Sequence, residues 1–495
     1  RPARRARPRA PPAPPRRSAP AMLQLPPRSS MPRRRHVAVT LAAALAAVGL
    51  GSCRLPTAWG LLAARGGYQR TMQAKSHPRE VTKAINSAQS AQAILGVLDR
   101  EMGSQHFNDV HVSTALSRLA VWKRTITSEV CRSPVIADFI ERAKEMLAAG
   151  AVGARGAGAM VWAAANLQQA LPQTLELLPG LIETTTFKAG EMPAFALARN
   201  FWAVAKLRGV APEVKRLVPV LMEHINYKAE YAEPQDVSNI FWAVATMQDE
   251  LPETAQFLPP LMDAFAYRAQ DAAPKAISSM FWAVATMHRK VPQVSLLVPT
   301  LVEASPQKVR SMNAQAVANT LWSLSILQPE WDGAMEALVH ALQQAMAFNL
   351  GGGRAADAAQ SASSCSQAML ALAVLEARDE LLVEAVAEHI SALLPGMSPR
   401  VYCNNLPALM FAFAKFGLRG EDLLTRVAGK MSVLEPRFSD WGLCALIWSY
   451  RQLDATNQHA KLLAFLQQEV GRRGIPEAKI DHSRLGPYEW ARWDG

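Results

Sequence analysis

The first 79 residues contain no aspartate and no glutamate. They carry 16 Arg and Lys, and the first acid is Glu80. Taking those 16 charges from the net +12 leaves −4 for the remaining 416 residues. The basic balance therefore belongs to the leader. It excludes a nucleic-acid reading based on whole-chain charge, so any such surface must be local. Cysteine is scarce: Cys53, Cys131, Cys365, Cys403 and Cys444 form no CxxC pair and no disulfide-framework spacing, which points to a reducing compartment. No HExxH or paired Cys/His ligand set occurs, and no metal site is expected. His106 and His111 are five apart, wrong for one helix face, and are read as surface residues. No Ser/His/Asp order and no recurring acid pair is present, so the chain is read as a non-enzyme with no cofactor and no small-molecule substrate. Aromatics make up only 7% and period-two strand patterns are missing, whereas Ala and Leu abound. That balance favours helix.

The leader divides. Residues 1–30 are rich in Arg, Pro and Ala, read as disorder or as translated sequence upstream of a true start. From Met31 the pattern sharpens: Arg33, Arg34 and Arg35 precede an apolar run over 37–50, followed by Gly51 and Ser52. This is the layout of a signal peptide, and the acid-free stretch from Arg54 to Arg79 has transit-peptide character. Together they suggest a bipartite leader directing the chain to a plastid. A mitochondrial presequence, a short signal anchor and a lipobox at Leu50-Gly51-Ser52-Cys53 are the other readings. No stable membrane association is expected once the leader is removed.

Behind the leader the chain repeats itself. Trp162, Trp202, Trp242, Trp282 and Trp322 are each 40 residues apart, within the boxes MVWAAANL, NFWAVAKL, IFWAVATM, MFWAVATM and TLWSLSIL. Pro172, Pro212, Pro252 and Pro292 keep the same period, as do Pro179, Pro219, Pro259 and Pro299. Three markers in phase define a tandem array. Degenerate boxes extend it at Ala115–Ala120, Met369–Ala373, Met410–Ala414 and Ile447–Tyr450. In the unit near 240, Val237, Ile240, Phe241, Val244 and Met247 share one helix face, and Leu258, Leu261, Met262 and Phe265 share a face of the next helix. Pro252 suits a first helical turn, and Pro259, seven further on, predicts a second helix that is bent or split in two.

These features predict an all-α fold, an α-solenoid of tandem ~40-residue helical-hairpin repeats in the armadillo/HEAT manner. The expected layout is a disordered basic leader over 1–79, the N-terminal array over 80–350, and a low-complexity insertion loop over 351–365. Degenerate repeats over 366–470 and a tail over 471–495 complete it. Gly351-Gly352-Gly353 lacks the GK[ST] ending of a phosphate loop.

The repeat Trp has two readings: packing between successive units, or a platform for a base. On the helical wheel it flanks the apolar stripe, which favours packing. Opposite the stripe, the positions three before and four after the Trp share a face, being seven apart. They read Ala159 and Asn166, Arg199 and Lys206, Asn239 and Thr246, Ser279 and Thr286, Asn319 and Ile326. Variable polar pairs on an unvarying framework are what a modular reader of single-stranded RNA needs, one base per helical unit. Arg199 and Lys206 can also hold phosphate. The alternative is solvated surface free to drift.

The box Val317-Ala318-Asn319-Thr320-Leu321-Trp322-Ser323-Leu324, and its variant Val237-Ser238-Asn239-Ile240-Phe241-Trp242-Ala243-Val244, resemble the first-helix signature of octotricopeptide repeats. Related repeats occur in heptatricopeptide, FAST-kinase-like and RNA-editing substrate-binding-complex-like organellar proteins. The FWAVA form with a bipartite leader resembles the dinoflagellate members. The likeness covers roughly residues 80 to 470. The period is slightly longer than that family's usual one, its proline-rich box is not intact, and the tail over 481–490 matches no module of it. The resemblance implies non-catalytic binding of single-stranded organellar RNA in transcript processing, editing, stability or translation, with other RNA-processing proteins as partners. An armadillo-like protein-interaction scaffold is the rival expectation.

Overall fold

The computed structural model describes residues 78–329, 332–351, 358–418, 421–433, 438–454 and 457–480. The apolar run over 37–50, the rest of the leader to residue 77, and the tail from 481 lie outside the described residues. The described chain is all-α and contains no strand. The described residues belong to one compact unit.

Nine helices of the described chain form one row: Asp109–Val121, Ala154–Leu167, Ala194–Leu207, Pro234–Met247, Pro274–Met287, Ala314–Leu327, Ala358–Val374, Pro399–Phe416 and Asp440–Leu453. Each packs against the next. The five repeat Trp residues sit on the second to sixth of them, and the degenerate boxes supply the others. A second layer of helices, among them Leu178–Lys188, Leu217–Asn226 and Leu258–Arg268, packs against the row.

The box explains the row. Phe201, Phe241 and Phe281, each just before a Trp, are fully buried. On the other side, Ala203, Ala243 and Ala283, with Ala205, Ala245 and Ala285 two further on, are also buried. Small side chains there let successive helices approach, and the buried Phe is part of the same continuous core. At the far end the same device uses glycine: a Cβ on Gly442 would lie 3.2 Å from Pro407 Cγ. Pro407 sits inside the preceding helix of the row.

The second helix of the units is split in two, one of the forms the proline pair predicts. Pro252 opens a 3-10 helix over Pro252–Phe257, and Pro259 stands in the first turn of the α-helix Leu258–Arg268. Both prolines occupy positions whose N–H would be unpaired in any case. The turn from each Trp helix into the 3-10 segment also recurs, as Leu171 N to Leu167 O at 2.7 Å, Ala211 to Leu207 at 2.8 Å, and both Leu251 to Met247 and Val291 to Met287 at 2.9 Å.

Two local expectations need correction. His111 is not a surface residue, being only 1% exposed. Its Nδ1 accepts from the Asn108 backbone N–H at 3.0 Å, so its Nε2 carries the proton and donates to Pro78 O at 2.8 Å. His106 is half-buried. The insertion expected as a loop over 351–365 is largely helical where described. Gly351 ends the helix Gly333–Gly351, and residues 358–365 begin the helix Ala358–Val374. The stretch Ala358 to Ser364 reads as low complexity, but small residues suit a tightly packed helix; Ala362, Ser364 and Cys365 are buried. Residues 352–357 lie outside the described ones.

Candidate nucleic-acid interface

The exposed face of the row carries a groove made of three adjoining cavities. One of about 430 Å³ is lined by Trp162, Asn166, Arg199, Trp202, Asp236 and Asn239, among others. It shares Trp202, Asn239 and Lys275 with a second of about 500 Å³, which also reaches Lys206, Trp242, Ser279, Trp282 and Asn319. A third of about 590 Å³ begins at Trp282 and Trp322 and continues past Gln367, Asn404 and Asn405 to Trp441.

All five repeat Trp residues therefore border the groove, half-buried. The two readings of the Trp are not exclusive. Across unit boundaries, Trp202 and Trp242 lie 6.1 Å apart between ring centroids at 35°, and Trp242 and Trp282 lie 6.2 Å apart at 30°. The rings thus tie one unit to the next and still present surface to the groove. Lys206 Nζ stands 5.8 Å from the Trp202 centroid and 5.1 Å from that of Trp242, a cation above two π faces.

Of the eight polar residues among the variable pairs, six line these cavities: Asn166, Arg199, Lys206, Asn239, Ser279 and Asn319. Thr246 and Thr286 do not. Their hydroxyls donate back along their own helix to Trp242 O at 2.7 Å and Trp282 O at 2.8 Å, the habit of threonine inside a helix. Asn166 is partly committed in the same way, Nδ2 donating to Trp162 O at 2.9 Å. Asn239 uses its carbonyl instead, accepting from Gln235 Nε2 at 3.0 Å, which leaves its Nδ2 as the group that can donate to a ligand.

A third column escaped the sequence reading. Gln235, Lys275 and Gln315 stand seven residues before their Trp and line the groove. Seven residues is two helical turns, so the spacing rule that selected the other two columns also selects this one. The same position holds Arg155 and Phe195 in earlier units, with the Arg199 guanidinium 5.5 Å from the Phe195 ring.

Electrostatically the groove differs from the array around it. Arg199, Lys206 and Lys275 line it, and among the described residues Asp236 is the one carboxylate that does. Burial raises the Asp236 carboxyl above the usual carboxylate range, opposed by the Glu233 backbone N–H and the charge of Arg199. Cys403 borders the third cavity. Burial pushes the Cys365 thiol up to about 12 and that of Cys444 to about 11, so neither is a nucleophilic thiolate at neutral pH. Among the described residues, no three His, Cys, Asp or Glu gather where they could hold a metal ion. No helix among them is long and apolar enough to cross a membrane.

No family model matches this chain, and no curated protein matches it either.

Proposed function

We propose that the row of helices is an α-solenoid of the octotricopeptide-like kind, and that its groove binds single-stranded RNA without catalysing a reaction. One observation carries the reading: stacked Trp rings, three cations and several amide and hydroxyl groups converge on one continuous groove. Each part answers to a part of a single strand. Half-buried rings offer base-stacking surface, worth about 1–3 kcal/mol per base. Arg199, Lys206 and Lys275 supply phosphate contacts, and Asn239, Ser279, Gln315 and Asn319 supply groups able to read base edges. A protein ligand gains little from cations set among rings in an otherwise polar groove, so the scaffold reading stands second for this face. The basic leader motivates an organellar setting, a plastid before a mitochondrion. Transcript processing, editing, stability or translation is the process served.

The test is binding of the chain to a randomised single-stranded RNA pool across a salt series. The described residues all fall within one unit whose boundary lies at Thr71, so a chain beginning there removes the contribution of the leader. Three phosphate contacts predict a slope of log affinity against log salt of about −2, from roughly 0.7 per contact on a single strand. Binding that the triple variant Arg199→Ala, Asn239→Ala, Asn319→Ala leaves unchanged would overturn the groove as the site. No binding at low salt would overturn direct RNA recognition.

A further inference from the structure

The 40-residue period writes a second exposed column, away from the groove, at the end of the helix that follows three successive Trp helices, those of Trp162, Trp202 and Trp242. Phe187, Tyr227 and Tyr267 are each 40 residues apart and stand 85%, 77% and 91% exposed. One turn earlier on the same helices, Glu183, Glu223 and Asp263 are exposed, and Glu303 continues that column in the next unit. Residues four apart share a helix face, so each ring has a carboxylate beside it.

The cations that follow the rings in sequence are committed to the fold. Lys188 Nζ donates to Val152 O at 2.8 Å and Lys228 Nζ to Met192 O at 2.5 Å, each reaching back to the preceding unit. Arg268 pairs with Glu233 at 2.5 Å. By contrast, Glu183, Glu223, Asp263 and Glu303 enter no ion pair among the described residues. A single exposed ring is ordinary surface. Three at equivalent positions, each with an unpaired acid one turn away, make a strip of one chemistry.

We propose that this strip is a docking surface for an extended segment of a partner protein rich in arginine and lysine. A ring face attracts a cation, and the neighbouring carboxylate attracts the same cation. The carboxylates repel a phosphate backbone, so the strip disfavours the ligand proposed for the groove, and the two sites do not compete. The spacing also fits. The row helices pack neighbour to neighbour, which sets the units about 8–10 Å apart, so one ring and one acid recur at about that interval along the strip. An extended polyproline-type chain rises about 9 Å over three residues. A cation at every third residue therefore meets one ring and one acid in each unit.

The probe is a fluorescein-labelled 12-residue peptide with arginine at every third position and alanine or proline between, titrated with the full chain at low salt. Wild-type chain binds it, and the same peptide with glutamate in place of arginine is not bound. Phe187→Ala, Tyr227→Ala and Tyr267→Ala combined weaken binding on the order of tenfold, with thermal melting unchanged because the rings are exposed. Glu183→Gln, Glu223→Gln and Asp263→Asn combined weaken it similarly and flatten its salt dependence. A Lys206→Met chain binds the peptide as wild type does, which separates this site from the groove. Absence of peptide binding, or equal binding by either triple variant, overturns the proposal. Self-association of the chain in sedimentation that the aromatic triple variant abolishes also overturns it, assigning the strip to a second copy.

Discussion

Lys206 joins the two kinds of contact the groove offers. Its ammonium lies over Trp202 and Trp242, yet the side chain is exposed and lines the second cavity beside Asn239, Ser279 and Asn319. Lys206→Met keeps an unbranched stem over the rings and removes the charge. Stability should move by no more than about 0.5 kcal/mol, as at most exposed positions. The salt slope of RNA binding should become shallower by about 0.7, one phosphate contact fewer. Urea melts and the salt series check the two parts separately, and an unchanged slope would remove Lys206 from the ligand contacts. Asp236 gives a pH signature. Its folded carboxyl holds a proton to higher pH than the unfolded chain does, because burial disfavours the charge. The folded state therefore binds more protons over that interval, and this residue's contribution to stability falls as pH rises from about 3.8 through the raised value. Asp236→Asn keeps an acceptor for the Glu233 N–H and should flatten that decline, measured as urea midpoints at a series of pH values. An unchanged pH profile would place the acid's titration elsewhere.

At the scale of the helix, stability rests on the residue just before each Trp. Phe241 is part of the continuous core, with no exposure. Phe241→Ala should cost about 3–5 kcal/mol, the range for a buried aromatic whose cavity cannot collapse. The cost should be read in the urea midpoint, with RNA affinity at low denaturant much less affected, since Phe241 does not border the groove. A loss of affinity matching that of a groove variant would mean that the Trp242 ring moves with the Phe. The helices themselves were legible in the sequence because their apolar spacing and proline pairs are local signals repeated in phase. The groove was legible to the extent that it follows from helical spacing: positions three before and four after the Trp pointed to it, and the column seven before follows by the same rule. What escaped depended on contacts the spacing does not encode. Thr246 and Thr286 satisfy themselves on their own backbone, and His111 is buried by a carbonyl 33 residues earlier. The helical start of Ala358–Val374 escaped for another reason, since a run of Ala and Ser carries no amphipathic pattern and is fixed by its neighbours.

Across the whole molecule, the period has a consequence that a single globular core would not share. Each row helix packs against its neighbours in the row, and Trp202, Trp242 and Trp282 of three successive units lie ring against ring. In the proposed solenoid, stability is then close to a sum of unit terms and nearest-neighbour terms. Removing one whole period should leave an array that still closes on itself. Deleting residues 234–273 joins Glu233 to Pro274, which replaces the Glu233–Pro234 junction with the same pair of residue types and keeps the register. It also sets Trp202 against Trp282 across a boundary of the kind that Trp202 and Trp242 now form. The shortened chain should fold cooperatively, with a urea m-value reduced roughly in proportion to the surface lost. Its RNA footprint should shorten while the salt slope stays near the wild-type value, because Arg199, Lys206 and Lys275 are all retained. In a globular domain, loss of 40 internal residues with a buried Phe and Trp helix would remove the fold altogether. Circular dichroism with urea unfolding distinguishes the two, and an unfolded deletion product would reject the solenoid.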